Sequence, residues 1–235
     1  MTDKLEDLFI QRPPTSNQPL LGLTVLVVED SRFASEALRL MTQRSGARMR
    51  RADCLRAAQR HLQTYRPGAI IIDMGLPDGN GADLIRSIRT ARTPSPVILG
   101  LSGDTHRKEE AMNAGADGFL FKPLESLAQF QQALLTAMPV TARPAMPRLL
   151  PEEILTPDPI ALRDDLHEAA RLLAQRPDAN ATGYLSQFLR GLARLSRDET
   201  LEHAAQALHG GLPSAAALSC AAHLVQSRLS TGSAI

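Results

Sequence analysis

The sequence predicts a doubly wound α/β domain followed by an all-helical one, and three observations carry that expectation. Apolar runs without polar alternation recur at "LTVLVV" (23–28), "AIII" (69–72), "PVILGL" (96–101) and "GFLF" (118–121), each followed by a helix-like segment. Strands covered on both faces read this way, and repeated β-then-α units build a parallel sheet with helices on both sides. Six prolines (139, 144, 147, 151, 157 and 159) crowd the next stretch, and beyond them 160–230 is rich in Ala, Leu and Arg with no strand-like run.

Taken in order, residues 1–20 are polar and proline-bearing, which predicts a loose tail. The α/β domain is expected over 21–138. Its first strand, 23–28, precedes a segment with Ala34, Leu38 and Met41 on one face. "ARMRR" (47–51) is a weaker strand, followed by Leu55, Ala58, Leu62 and Tyr65 at helical spacing. The run 69–72 leads to Leu84, Ile85 and Ile88, the run 96–101 to a helix over 104–114, and the run 118–121 to a helix over 124–137. These make five strands. The proline-rich 139–159 predicts a stiff linker, since proline removes backbone donors and fixes φ. Breaks near Pro177–Asn180, Ser196–Asp198 and Gly210–Pro213 divide 160–230 into about four helices.

Composition narrows the function. With 235 residues, 43% hydrophobic and 22% charged, the chain buries an ordinary core, and a net charge of +1 gives no global attraction to nucleic acid or acidic membranes. Cys54 and Cys220 are far apart and outside any C-x-x-C pattern, which suits a reducing cytoplasm and argues against a disulfide framework or thiolate zinc site. No apolar leader and no membrane span is expected.

In an open parallel sheet, ligands bind beyond the carboxyl ends of the strands. Strand one ends in Glu29 and Asp30, strand three in Asp73, strand four in Ser102, and strand five in Lys122 followed by Pro123. Three close carboxylates repel one another unless a cation compensates, and Mg²⁺ takes a few carboxylates plus waters and phosphate oxygens. A lysine and a hydroxyl suit phosphoryl oxygens. One carboxylate is then left as a nucleophile able to form an aspartyl-phosphate. Asp73 is the best placed, because two glycines and Pro77 in the following loop leave room for an incoming group. Taken singly, each residue has a plainer reading: a strand-end acid or serine is a common helix cap or turn residue. The ordered set is what points to chemistry. Lys122 adds weight, since only three of the 26 basic residues are lysines (Lys4, Lys108 and Lys122).

"VVED", "IIIDMGLPDGNG", "LSGD" and "GFLFKP" resemble the signature of the receiver domain of two-component response regulators, in order, over about residues 22 to 138. The resemblance implies a flavodoxin-like sheet of order 2-1-3-4-5 in a cytoplasmic, bacterial-type, non-enzymatic phosphoprotein. It implies that Glu29, Asp30, Asp73 and the backbone carbonyl of Gly75 hold Mg²⁺. Asp73 would accept a phosphoryl group from the phosphohistidine of a histidine kinase or phosphotransfer protein, and Ser102 and Lys122 would bind its oxygens. Phe119 stands at the aromatic switch position. Two residues depart from the common pattern. Gly103 replaces the usual alanine, and Gly75 offers no side chain to shield the phosphoryl group or orient water, so Gly75 and Asp104 bear on dephosphorylation. Mg-dependent phosphohydrolase chemistry at Asp73 is an alternative, but the related pattern wants a second aspartate where Gly75 stands.

For the helical region, "AQALHG" (205–210) followed by "ALSCAAHL" is similar to a degenerate histidine phosphotransfer bundle. Gln206 stands where the phosphorylatable histidine would be and His209 in place of lysine, so the resemblance implies docking or dimerisation rather than phosphotransfer. The other alternative is a DNA-binding transcriptional regulator with an atypical helix-turn-helix around 200–225. It is disfavoured because the arginines of 160–230 are scattered among acids. His203, His209 and His223 lack the spacing of a metal site.

Overall fold

The computed structural model describes residues 13–91, 95–124, 126–143, 158–175, 177–209 and 213–231. Most of the N-terminal tail (1–12) and most of the proline-rich linker (144–157) lie outside the described residues, as do 210–212 of the last interhelical break.

The first half alternates strands and helices: β1 Thr24–Val28, α1 Arg32–Arg44, β2 Arg48–Ala52, α2 Leu55–Thr64 and β3 Ala69–Asp73. A two-residue pair follows, β4 Gly75–Leu76 and β5 Gly79–Asn80, then α3 Gly81–Ala91, β6 Val97–Ser102, α4 His106–Ala114, β7 Gly118–Phe121 and α5 Leu127–Ala137. The main sheet has the order β2-β1-β3-β6-β7 and all its pairs are parallel. Counting only its strands this is 2-1-3-4-5, as the resemblance implies. Val25, Val27 and Ile71 pack towards α1 and α5, whereas Leu26, Val28, Ile70 and Ile72 pack towards α2, α3 and α4. Burial on both faces explains why these strands read as continuous apolar runs.

One expectation is corrected. The segment after Asp73 is not an open loop: β4 and β5 pair antiparallel, Gly75 with Asn80 and Leu76 with Gly79. Asp78 at its tip accepts hydrogen bonds from the Leu55 and Arg56 amides at 2.8 and 3.0 Å, satisfying free donors at the start of α2.

The second half forms four helices: α6 Pro159–Ala174, α7 Ala179–Ser196, α8 Glu199–Gln206 and α9 Ala215–Thr231. Asp158, Asp178 and Asp198 cap the first three, their carboxylates accepting from Ile160, Ala181 and Leu201 amides. Leu166, Leu173, Leu185, Leu189, Leu192, Leu201, Ala221 and Val225 form a third core. Phe33 of α1 belongs to that same core and is 4% exposed. The bundle is thus tied to the sheet domain by an aromatic lent from α1. Among the described residues, no helix is long and apolar enough to cross a membrane.

Candidate phosphoryl-acceptor site beneath a helical cover

The parallel register brings strand ends into line: Val28 lies opposite Ile72, Asp73 opposite Leu101, and Ser102 opposite Phe121. The next residue of each strand therefore emerges at one edge. Glu29, Asp30, Asp73, Ser102 and Lys122 line a single pocket with Gly75, Gly103 and Asp104. All five strand-end residues chosen from sequence meet there.

Lys122 Nζ lies 2.6 Å from Asp73 Oδ2 and 2.7 Å from Glu29 Oε2, and the Lys122 and Glu29 side chains are 9% and 0% exposed. The other Asp73 oxygen, Oδ1, accepts from the Gly75 amide at 2.9 Å. Glu29 Oε1 accepts from the Ser31 amide at 3.1 Å, but Oε2 has no well-aligned hydrogen bond despite its ion pair with Lys122. One carboxylate oxygen from each of Glu29, Asp30 and Asp73 falls within 4.8 Å of the others. Ser102 Oγ accepts from the Asp104 amide at 3.1 Å, and Asp104 Oδ1 accepts from the His106 amide at 3.0 Å.

The electrostatics are those of crowded acids with one cation. Burial drives the Glu29 carboxyl well above the usual carboxylate range, against the pull of Lys122, and the neighbouring Asp73 and Asp30 charges add to the rise. Asp30 is pushed up to about 6 by burial first and the Asp73 charge second. Burial works against the Lys122 charge, but Asp73, Glu29 and Asp30 outweigh it and hold the ammonium strongly protonated. Two of the three acids thus ionise reluctantly, and a further cation would relieve them.

Neither Glu29 nor Asp30 caps α1. Ser31 does, accepting from the Ala34 amide at 3.0 Å. Asp165 of α6 completes the cap, accepting from Ser31 Oγ at 2.7 Å and from the Arg32 and Phe33 amides at 2.9 and 3.0 Å. This frees both strand-end acids to face the pocket.

The sequence reading missed what covers them. α7 crosses the mouth of the site with Gln187, Arg190, Gly191 and Arg194 lining the pocket roof. These positions are three, four and seven residues apart, so they share one face of a helix. Tyr184, one turn earlier, donates from Oη to Asp30 Oδ2 in a short hydrogen bond. Arg194 Nη1 donates to the Gly103 carbonyl at 2.5 Å. The two glycine departures now have a physical reason. A Cβ on Gly75 would overlap the Gln187 carboxamide oxygen and lie 3.1 Å from its Cδ. A Cβ on Gly103 would lie 3.1 Å from Arg194 Nη1. Room for an incoming group exists at Gly75, but α7 fills it.

Phe119 is half-buried on β7, packed against the core on the α4 side, with its ring centroid 4.9 Å from that of Phe121. Gln206 ends α8, and both it and His209 are exposed; α7, not α8, carries the bundle's contacts with the pocket.

The first half of the chain is similar to known proteins. KDP operon transcriptional regulatory protein KdpE of Escherichia coli K12 is 33% identical over 114 residues, covering 48% of this chain and 50% of KdpE. Virulence transcriptional regulatory protein PhoP of Salmonella typhimurium 14028s is 34% identical over 116 residues, covering 48% of this chain and 52% of PhoP. The chain spans about half the length of these curated relatives. The crystal structure of the chemotaxis response regulator CheY4 of Vibrio cholerae aligns with a TM-score of 0.45 at 26% identity, covering 49% of this chain and 98% of CheY4. The family profile for the response regulator receiver domain matches residues 25–134. Residues 25–134 of this chain therefore belong to the receiver domain family of two-component response regulators.

Proposed function

We propose that this chain is a phosphorelay response regulator in which Asp73 takes a phosphoryl group from a phosphohistidine and the helical bundle responds. The observation that carries the reading is the meeting of Asp73, Glu29, Asp30, Ser102 and Lys122 from four strand ends in one buried pocket. In the transfer, the N–P bond of the donor breaks and an O–P bond forms at the Asp73 carboxylate. Lys122 moves from carboxylate to phosphoryl oxygen, and Ser102 donates to a second. Phosphoryl transfer asks for positioning and charge neutralisation more than covalent machinery, which matches this donor set.

Mg²⁺ fits the site. The three acids offer oxygens within reach of one ion, and Glu29 Oε2 lacks an aligned donor. Glu29, Asp30, Asp73 and the Gly75 carbonyl would hold it, and when bound it neutralises charge on the carboxylates and the phosphoryl group. Phe119 serves as the aromatic that reports the state of Ser102 to the α4–β7 surface. The partner is a histidine kinase or a phosphotransfer protein, met in the cytoplasm, and the chain does not turn over phosphomonoesters.

Output passes through the bundle rather than through DNA. KdpE and PhoP are transcriptional regulators by name, but the similarity to them covers only 48% of this chain. Several arginines of the bundle are engaged: Arg228 with Asp198, Arg171 with Glu168, and Arg194 with Glu202 and Gly103. Acetyl phosphate with Mg²⁺ should label the protein at one alkali-labile, hydroxylamine-sensitive position. Asp73→Asn should abolish the label; label retained in that variant would remove Asp73 from its role.

A further inference from the structure

The roof of the site is more than a lid. The cavity between α7 and the acid cluster is about 40 Å³. At about 10–15 Å³ of such volume for each water, it holds about three water-sized groups. Two side chains of α7 reach it with chemistry the receiver lacks. Gln187 places its carboxamide where a side chain two residues beyond Asp73 would stand, a space open only because residue 75 is glycine. Arg190 lines the same cavity, and its buried Nε has no hydrogen-bond partner. A carboxamide orients an attacking water by accepting from it, and a guanidinium stabilises charge on a transferring phosphoryl group.

We propose that the bundle limits the life of its own signal: Gln187 orients the water that hydrolyses phospho-Asp73, and Arg190 binds an oxygen of the departing phosphoryl group. Water oxygen forms a bond to phosphorus as the bond from phosphorus to the Asp73 oxygen breaks. The Asp73 carboxylate is regenerated, and both water protons leave on the released dihydrogen phosphate. No other reactant enters. Gln187 is a water-positioning residue supplied across the domain boundary, and Gly75 is the gap that admits it. This rests on Asp73 being the phosphoacceptor.

The test is the lifetime of the label on the full chain after acetyl phosphate is removed, with Mg²⁺ present. Gln187→Leu keeps the side-chain size and removes the carboxamide; it should lengthen the lifetime by at least about tenfold. Amide exchange at Arg32 and Phe33, which are tied to Asp165, reports in the same samples whether the bundle stays docked. Gly75→Gln combined with Gln187→Ala returns a carboxamide to that space from the receiver side and should shorten the lifetime again, whether or not the bundle docks. An unchanged lifetime in Gln187→Leu with the bundle docked overturns the proposal, as does failure of the double variant to shorten it. A protein that takes no label at all fails the phosphoacceptor reading instead.

Discussion

At Asp30 the proposed metal-binding role and stability pull in opposite directions. Its carboxyl titrates at about 6 in the folded protein, against 3.8 unperturbed, because it is buried and faces the Asp73 charge. Between those values the folded chain holds a proton that the unfolded chain has lost, so stability falls as pH rises through that window and levels off above it. The shift corresponds to about 1–3 kcal/mol, the lower figure allowing for partial exposure. Asp30→Asn should raise the urea midpoint of the Mg²⁺-free protein at pH 7.5 and flatten the decline between pH 4 and 7. Glu29, also held high by burial, leaves a residual slope in that variant. An identical pH dependence in variant and parent would contradict the assignment. Tyr184, whose hydroxyl is held protonated by burial and by the Asp30 charge, remains the donor over the same range.

Among the elements, α1 is the joint. A helix start leaves about four amides without partners, and here a residue more than a hundred positions away satisfies two of them. Asp165 is 3% exposed and also accepts the Ser31 hydroxyl, with Arg32 and Asp164 paired at 2.5 Å beside it. Burial holds its carboxyl above the usual range even against those donors. Asp165→Ala strips the joint of three hydrogen bonds and should cost about 1–3 kcal/mol. Hydrogen exchange should accelerate at the Arg32 and Phe33 amides while the central strands β1 and β3 stay protected. The strands and the acid pocket were legible in the sequence because their signals are local or obey sheet topology: an apolar run, then a polar residue where the run stops. The face of α7 was not. Gln187, Arg190 and Arg194 carry no local mark, since nothing near them in sequence says that their face of the helix meets the sheet domain. The available signal was indirect: Gly75 and Gly103, two gaps in the receiver pattern that another part of the chain fills. Asp165 was equally silent, one acid among many in a helix.

On the scale of the whole molecule, bundle docking and the proposed phosphorylation of Asp73 would draw on the same surface. With α7 over the pocket, Tyr184 on Asp30 and Arg194 on Gly103, a protein phosphodonor of the kind proposed would reach Asp73 only after the bundle lifts. The free energy that holds the bundle down would then add to the barrier for transfer from a protein donor, since the open form is the one that can be reached. Weakening the joint from a distance therefore exposes the site. Asp165→Ala should take label from acetyl phosphate several-fold faster than the parent under matched Mg²⁺, read as initial rate. An unchanged rate would show that the cover does not control access.

Phe33 sets what happens next. The ring projects from α1 into the core of the bundle, so lifting the bundle leaves a bare aromatic on one body and an empty greasy socket on the other. Bare apolar surfaces of this kind would tend to re-pair, with the same chain or with another copy. At high protein concentration an opened chain would therefore have the socket of a second copy within reach as well as its own.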